Sequence, residues 1–224
     1  SMRLAAMMKI PSVMLFSHDS FMVGEDGPTH QPIEHLESLR LIPDMTVIRP
    51  ADAMETGMAW YYSLFKADGP VCIALTRQNL PALERDEDWN PDIVLKGAYV
   101  AKGCSNPHVI IVATGSELHL ALAAAEILEG KRVPTRVISM PSRELFERQP
   151  GEWREAILPS SFEQIVTLEA GSVGSWAAYS GSAGLNIGID HFGASAPANV
   201  LEEKFGFTPE QVANRISEAF GLES

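Results

Sequence analysis

Cysteine is scarce in this chain of 224 residues, which contains only Cys72 and Cys104. Neither cysteine belongs to a CxxC pair, and neither has a histidine or a second cysteine at metal-ligand spacing. The sequence therefore predicts no disulfide framework and no zinc site. We expect both thiols to pack as small hydrophobic groups beside strands. This cysteine usage is typical of a reducing compartment, so we expect a cytoplasmic protein.

Positive charge is also scarce, because 17 lysines and arginines stand against 29 aspartates and glutamates, a formal net charge of −12. No cluster of basic residues could follow a phosphate backbone, which argues against nucleic acid and anionic membranes as partners. No apolar run approaches the roughly 18 residues that a membrane span needs. The net charge does not exclude a small anionic substrate, because a pocket needs only one or two well-placed cations.

The apolar residues alternate between short runs typical of buried strands and longer stretches typical of helices. Strands are predicted at residues 12–17, 46–48, 71–75, 109–113, 135–139 and 165–169. Helices are predicted at 34–40, from a capping box at Asp52 to residue 65, at 118–128, at 143–158 and from the N-cap Thr208 onward. Such alternation indicates βαβ units and a mostly parallel sheet. The predicted fold class is therefore α/β, with two parallel-sheet units.

The pattern breaks between the two units, where Pro81, Pro91 and the acidic run at 84–88 show no apolar period. We predict a linker at residues 81–94, which separates a first unit at 1–80 from a second unit at 95–224.

One loop concentrates chemically active side chains. Residues 18–32 follow a predicted parallel strand, and the carboxyl ends of such strands form binding crevices. His18 and His30 suit acid–base work near neutral pH or donation to an anion, and Asp26 suits a hydroxyl partner. The structural alternative is that these are turn and helix-capping residues. A metal site is disfavoured, because both histidines lie on a Gly/Pro loop without helical spacing.

Arg77 follows the predicted strand at 71–75, so we expect its guanidinium at the same edge of the sheet as this loop. A guanidinium can hold a phosphate or carboxylate through paired hydrogen bonds. Together with the two histidines and Asp26, it suits a phosphorylated polyol better than a metal ion.

The loop sequence His18-Asp-Ser-x-x-x-Gly-Glu-Asp-Gly-Pro-Thr-His-Gln-Pro32 resembles transketolase, a thiamine-diphosphate-dependent two-carbon transferase. Its Gln-Pro ending separates transketolase from the related deoxyxylulose-phosphate synthase. The likeness covers essentially the whole chain and continues in Arg49-Pro-Ala-Asp52, Thr76-Arg-Gln-Asn-Leu80, Ala113-Thr-Gly-Ser-Glu117, Val137-Ile-Ser-Met-Pro-Ser142, Leu168-Glu-Ala-Gly171 and Phe192-Gly-Ala-Ser-Ala-Pro197.

The resemblance implies an incomplete thiamine-diphosphate-fold pyrimidine-binding (middle) domain at 1–80 and a complete transketolase C-terminal domain at 95–224. It implies that His18 and Arg77 bind the phosphate of a sugar phosphate and that Asp26 binds a substrate hydroxyl. His30 is implied as the catalytic residue, which also assists substrate binding near the reacting carbon. The implied activity is transfer of a two-carbon ketol unit from a ketose phosphate to an aldose phosphate in the pentose phosphate pathway.

The same resemblance implies thiamine diphosphate and Mg²⁺ as cofactors of the full-length family enzyme. We find no counterpart here of the family's glutamate on the aminopyrimidine ring, of the aromatic pocket around that ring, or of the diphosphate domain. Glu25-Asp-Gly27 resembles a Gly-Asp-Gly metal motif only superficially. We therefore expect no cofactor-binding and no metal-binding residues in this chain, and no transketolase activity from the chain alone.

The expected partners are ketose and aldose phosphates and, by the resemblance, a second copy of the chain in a homodimer. Two alternatives remain open. The chain could be a non-catalytic C-terminal subunit that completes a split transketolase with a separate N-terminal polypeptide, or it could be a dimerisation or sugar-phosphate-binding module.

Overall fold

The computed structural model describes residues 1–222. These residues form a three-stranded sheet from the first part of the chain and a five-stranded sheet from the rest. Every strand pair is parallel except the pair at one edge of the larger sheet. The predicted α/β class with two parallel-dominated sheets is confirmed. Within the described range, no helix combines the length and the apolar character needed to cross a bilayer.

The first sheet has the order β1-β3-β2. Its elements are α1 (Met2–Met7), β1 (Val13–Ser17), α2 (His35–Arg40), β2 (Thr46–Ile48), α3 (Ala53–Phe65) and β3 (Val71–Leu75). The central strand β3 is almost entirely buried, because it has a neighbour on each side, whereas Leu15 and Phe16 of the edge strand β1 are exposed. α3 begins at the predicted cap, since the Asp52 carboxylate accepts a hydrogen bond from the Glu55 amide at 2.9 Å.

The second sheet has the order β4-β6-β5-β7-β8, with β4 antiparallel to β6. Its strands are β4 (Tyr99–Lys102), β5 (Val109–Ala113), β6 (Thr135–Ser139), β7 (Ile165–Leu168) and β8 (Leu185–Ile187). Its helices are α4 (Glu117–Gly130), α5 (Arg143–Glu147), α6 (Gly151–Ile157), α7 (Ala177–Ser180), α8 (Ala198–Phe205) and α9 (Pro209–Phe220).

The helical region predicted at 143–158 consists of two helices, α5 and α6. They are separated at Pro150, which has no amide hydrogen to donate and restricts the residue before it to extended backbone, so one helix ends and the next begins there. The predicted start of α9 is confirmed: Thr208 Oγ1 accepts from the Gln211 amide at 3.3 Å, and Pro209 is the first helical residue.

The loop after β1 lies against the second part of the chain. It contains a 3₁₀ turn, Phe21–Val23, and the fully buried Phe21 ring packs edge-on against Phe205 and Phe207 at centroid distances of 5.1 and 5.2 Å. Such edge-to-face aromatic packing stabilises the contact. The predicted site loop is therefore supported by α8 and not only by its own sheet.

The segment predicted as a linker also contacts the rest of the molecule. Its Arg85 pairs with Asp52 at 2.6 Å and lies 4.4 Å above the ring of Trp89, which packs against Tyr99. The segment ends in a second 3₁₀ helix, Pro91–Lys96. The domain limits of 1–80, 81–94 and 95–224 stay a prediction.

Candidate active site

The predicted site residues leave the first sheet at one edge. β1 and β3 are parallel neighbours, and Ser17 at the end of β1 lies opposite Leu75 at the end of β3. His18 follows β1 directly, and Arg77 lies just beyond β3. The two carboxyl ends therefore bring the loop at 18–32 and the loop containing Arg77 together, which is where open α/β sheets form binding crevices.

Asp26 and Arg77 share a cavity of about 300 Å³. Both residues are exposed, so their side chains are accessible to a ligand. The other lining residues come from the same loop and from the start of α8, namely Val23, Gly24, Glu25, Pro197 and Ala198. A carboxylate and a guanidinium in one solvent-accessible cavity can bind the hydroxyl and the anionic end of one ligand.

His18 lines a different cavity, of about 350 Å³. Its backbone has a φ of +66°, a conformation that few residues other than glycine adopt. Its Nδ1 lies 2.9 Å from the Ser17 hydroxyl. The walls of this second cavity are mostly apolar and include Phe16, Pro32, Leu36, Leu39, Ile42 and Ala74.

His30 lines neither of these two cavities. It is exposed, and its Nδ1 lies 3.0 Å from the Thr29 hydroxyl. The structure therefore brings Asp26 and Arg77 together, while His18 and His30 lie on the same loop without sharing their cavity. The roles of all four residues stay predictions.

A cluster of buried charges beneath this loop was not identified from the sequence. The Arg49 guanidinium is fully buried and pairs with Asp19 at 2.6 Å and with Glu117, and it lies 4.0 Å from Glu169. Both terminal nitrogens of Arg40 donate hydrogen bonds to the Glu169 carboxylate, each at 2.7 Å. Arg49 and Glu117 each stand inside a motif that carried the family resemblance, but neither had a predicted role.

The cluster shifts the pKa values of its members. Burial alone lowers the pKa of Arg49, but the charges of Asp19 and Glu117 outweigh it and hold that pKa well above its ordinary value. Burial raises the pKa of Glu117, and Arg49 only partly offsets this effect. Burial also raises the pKa of Glu169, but the charge and hydrogen bonds of Arg40 outweigh it and hold that pKa below the ordinary value.

The donor set of the described residues does not fit a magnesium–diphosphate group. Residues 1–222 contain no cluster of three or more histidines, cysteines, aspartates or glutamates arranged to hold a metal ion. The carboxylates of the buried cluster are already engaged by Arg49 and Arg40.

Comparison with known proteins gives the same family for both parts of the chain. The family model described as "Transketolase, pyrimidine binding domain" matches residues 1–82, and the one described as "Transketolase-like TK C-terminal domain" matches residues 97–208. The chain belongs to the transketolase family. The resemblance seen in its motifs is thereby confirmed.

Individual transketolases agree with this assignment. A transketolase from Aquifex aeolicus is 48% identical over 97% of this chain and 32% of its own length. The structure of a Pichia stipitis transketolase in complex with sedoheptulose 7-phosphate superposes with a TM-score of 0.91, at 39% identity over 98% of this chain and 31% of that one. The chain thus spans about a third of the length of these transketolases.

A shorter neighbour is described as a split gene transketolase, an inactive beta4 tetramer. It superposes on this chain with a TM-score of 0.72 at 26% identity, over 95% of this chain and 67% of its own.

Proposed function

We propose that this chain supplies the sugar-phosphate-binding part of a transketolase, which transfers a two-carbon ketol unit from a ketose phosphate to an aldose phosphate in the pentose phosphate pathway. The observation that carries the proposal is the shared cavity of Asp26 and Arg77 at the carboxyl edge of the first sheet. The complex of the Pichia stipitis relative with sedoheptulose 7-phosphate supports this substrate class.

The proposed roles follow the chemistry of each side chain. Arg77 binds the substrate phosphate, because a guanidinium matches its geometry with paired hydrogen bonds. Asp26 accepts a hydrogen bond from a substrate hydroxyl. His18 assists at the phosphate, and His30 acts near the reacting carbon. The last two assignments rest on the family likeness alone.

We further propose that the chain alone has no turnover. In transketolases, thiamine diphosphate and a divalent cation supply the chemistry of carbon–carbon bond cleavage, and residues 1–222 contain no group of three or more histidines, cysteines, aspartates or glutamates that could hold such a cation. The proposed enzyme is a cytoplasmic homodimer in which this chain binds and orients the sugar phosphate.

Calorimetry of the 224-residue chain with ribose 5-phosphate tests the binding role. We expect measurable binding, and we expect Arg77→Ala to weaken it by about tenfold or more, because a hydrogen bond to a charged group is lost. Arg154→Ala is the matched control, since Arg154 is an exposed arginine on α6, outside the site cavity. An Arg77→Ala chain that binds as tightly as the unsubstituted chain contradicts the proposed role.

The second candidate is a C-terminal subunit of a split transketolase. The split gene neighbour favours it, because this chain covers more of that protein than of the longer relatives. Mixing the chain with the separately produced N-terminal part of a related transketolase, thiamine diphosphate, Mg²⁺ and xylulose 5-phosphate provides the test. We expect no turnover from either polypeptide and turnover from the mixture. Turnover by this chain alone would refute the proposal that it is inactive.

A further inference from the structure

The loop segment that carries Asp26 lies between the two halves of the molecule. Its backbone turns at Gly24 and Gly27, with φ values of +87° and +79°. The exposed Asp26 stands between these glycines, outside any helix or strand. Its position therefore depends on whatever holds the backbone on either side.

Gln31 holds this segment against the C-terminal half. Its side chain is buried, with 4% of its surface exposed. Its Nε2 donates one hydrogen bond to the Gly24 carbonyl at 2.7 Å and another to the Ala194 carbonyl at 2.8 Å. One amide group thus closes the loop on itself and connects it to a residue far away in the sequence.

The partner segment at 193–198 is shaped to receive the loop. A Cβ atom on Gly193 would lie 1.5 Å from Gln31 Oε1, so a larger residue there would displace the Gln31 amide. Ser195 donates a hydrogen bond to the Glu25 carbonyl at 2.6 Å, and its Cβ lies 3.3 Å from the position of a Cβ on Gly27. Ser195 therefore bonds to one neighbour of Asp26 and leaves little room for a side chain on the other.

The buried Gln31 amide is only partly hydrogen-bonded. Its Oε1 is buried and has no hydrogen-bond partner among the described residues, which costs free energy. The opposite orientation of the amide would place Oε1 against two carbonyl oxygens, so the unpaired acceptor follows from the contacts that Nε2 makes. The arrangement leaves Oε1 unpaired, while Nε2 connects the loop to itself at Gly24 and to the C-terminal half at Ala194.

We propose that Gln31 is a positioning residue, which ties the Asp26 segment to the C-terminal half and so holds the Asp26 carboxylate in the cavity that it shares with Arg77, where it accepts from a substrate hydroxyl. Arg77 belongs to a separate segment after β3 and takes no part in the Gln31 hydrogen bonds to Gly24 and Ala194. Loss of those hydrogen bonds therefore weakens recognition of the polyol and leaves recognition of the phosphate in place. This inference rests on the proposed function.

The test compares two ligands on the 224-residue chain. Calorimetry with ribose 5-phosphate and with inorganic phosphate is run on Gln31→Leu and on the control Gln149→Leu, whose side-chain amide donates to the nearby Leu145 carbonyl at 2.9 Å. We expect Gln31→Leu to weaken ribose 5-phosphate binding about tenfold and to change phosphate binding less than about twofold. The control leaves both affinities unchanged. Equal weakening for both ligands, or no weakening, overturns the inference.

Hydrogen exchange gives a readout that needs no ligand. In Gln31→Leu we expect faster amide exchange in peptides covering 24–30 and 193–198, and unchanged exchange in β3 and β5. Unchanged exchange in those peptides also overturns the inference. If Gln31→Leu does not fold, Ser195→Ala provides the milder variant, with the same change of ligand preference expected.

The two proposals fail in different ways. An unsubstituted chain that binds neither ligand overturns the proposed function and this inference together. A chain whose binding is lost in Arg77→Ala but unaffected in Gln31→Leu and Ser195→Ala retains the proposed function and overturns only the role of Gln31.

Discussion

Glu55 is a buried carboxyl that joins the two sheets. Its Oε2 accepts from the Ala51 amide at 2.7 Å, and its Oε1 accepts from the Tyr99 hydroxyl at 2.7 Å and the Ser139 hydroxyl at 2.6 Å. Burial raises the pKa of Glu55 above its ordinary value of 4.5, and the three hydrogen bonds offset this only in part. The folded protein therefore retains the Glu55 proton to a higher pH than the unfolded chain does.

Glu55→Gln is expected to make stability less dependent on pH. Because the folded-state pKa is raised, the contribution of Glu55 to stability is full below pH 4.5 and declines as pH rises through the folded-state value. Glutamine keeps the three hydrogen bonds, since both hydroxyls can accept from its NH₂ group. Urea unfolding should show the variant gaining stability relative to the original chain as the pH rises above about 4.5.

The control for this prediction is Glu55→Leu, which leaves the Ala51 amide and both hydroxyls without their partner and should destabilise the protein at every pH. If the difference between Glu55→Gln and the original chain does not change with pH, Glu55 does not titrate as its burial indicates.

At the level of single residues, the sequence predicts which side chains meet at the ends of neighbouring strands. It does not predict which residues of the second half of the chain contact them. Asp26 and Arg77 follow two neighbouring parallel strands, so their shared edge was predictable. The contact between Gln31 and Ala194 joins residues 163 positions apart. No local pattern indicates such a pair. The same limit applies to Arg49 and its partners Glu117 and Glu169.

At the level of elements, local signals gave the helices that carry their own caps. Asp52 and Thr208 were identified as N-caps by their residue type and by Glu55 and Gln211 three residues later, and in the structure each side chain accepts from that amide. The missed elements β4, α7 and β8 are short and lie at sheet edges or in a Gly/Ser-rich stretch, and the missed helix α8 follows that stretch. β4 and β8 form by pairing with β6 and β7, so tertiary contacts decide them.

At the level of the whole molecule, the buried charge cluster connects the two sheets. Arg49 follows β2 of the first sheet, whereas Glu117 begins α4 and Glu169 follows β7 of the second. The Arg49 carbonyl also accepts a hydrogen bond from the Gly115 amide at 3.0 Å, and a Cβ on Gly115 would lie 2.8 Å from the Arg49 side chain. The arginine thus fills the space between the sheets and pairs with Asp19 and Glu117.

Arg49→Met is expected to destabilise the protein by about 3–5 kcal/mol, because methionine fills part of the volume but leaves Asp19 and Glu117 buried without their cation. We also expect the two sheets to unfold less cooperatively. Urea titration followed by circular dichroism and by tryptophan fluorescence measures both effects, and the two signals should separate in the variant. The matched control, exposed Arg154→Met, should change stability by no more than about 0.5 kcal/mol. An Arg49→Met chain whose midpoint equals that of the control, with coincident signals, would show that the cluster does not couple the two sheets.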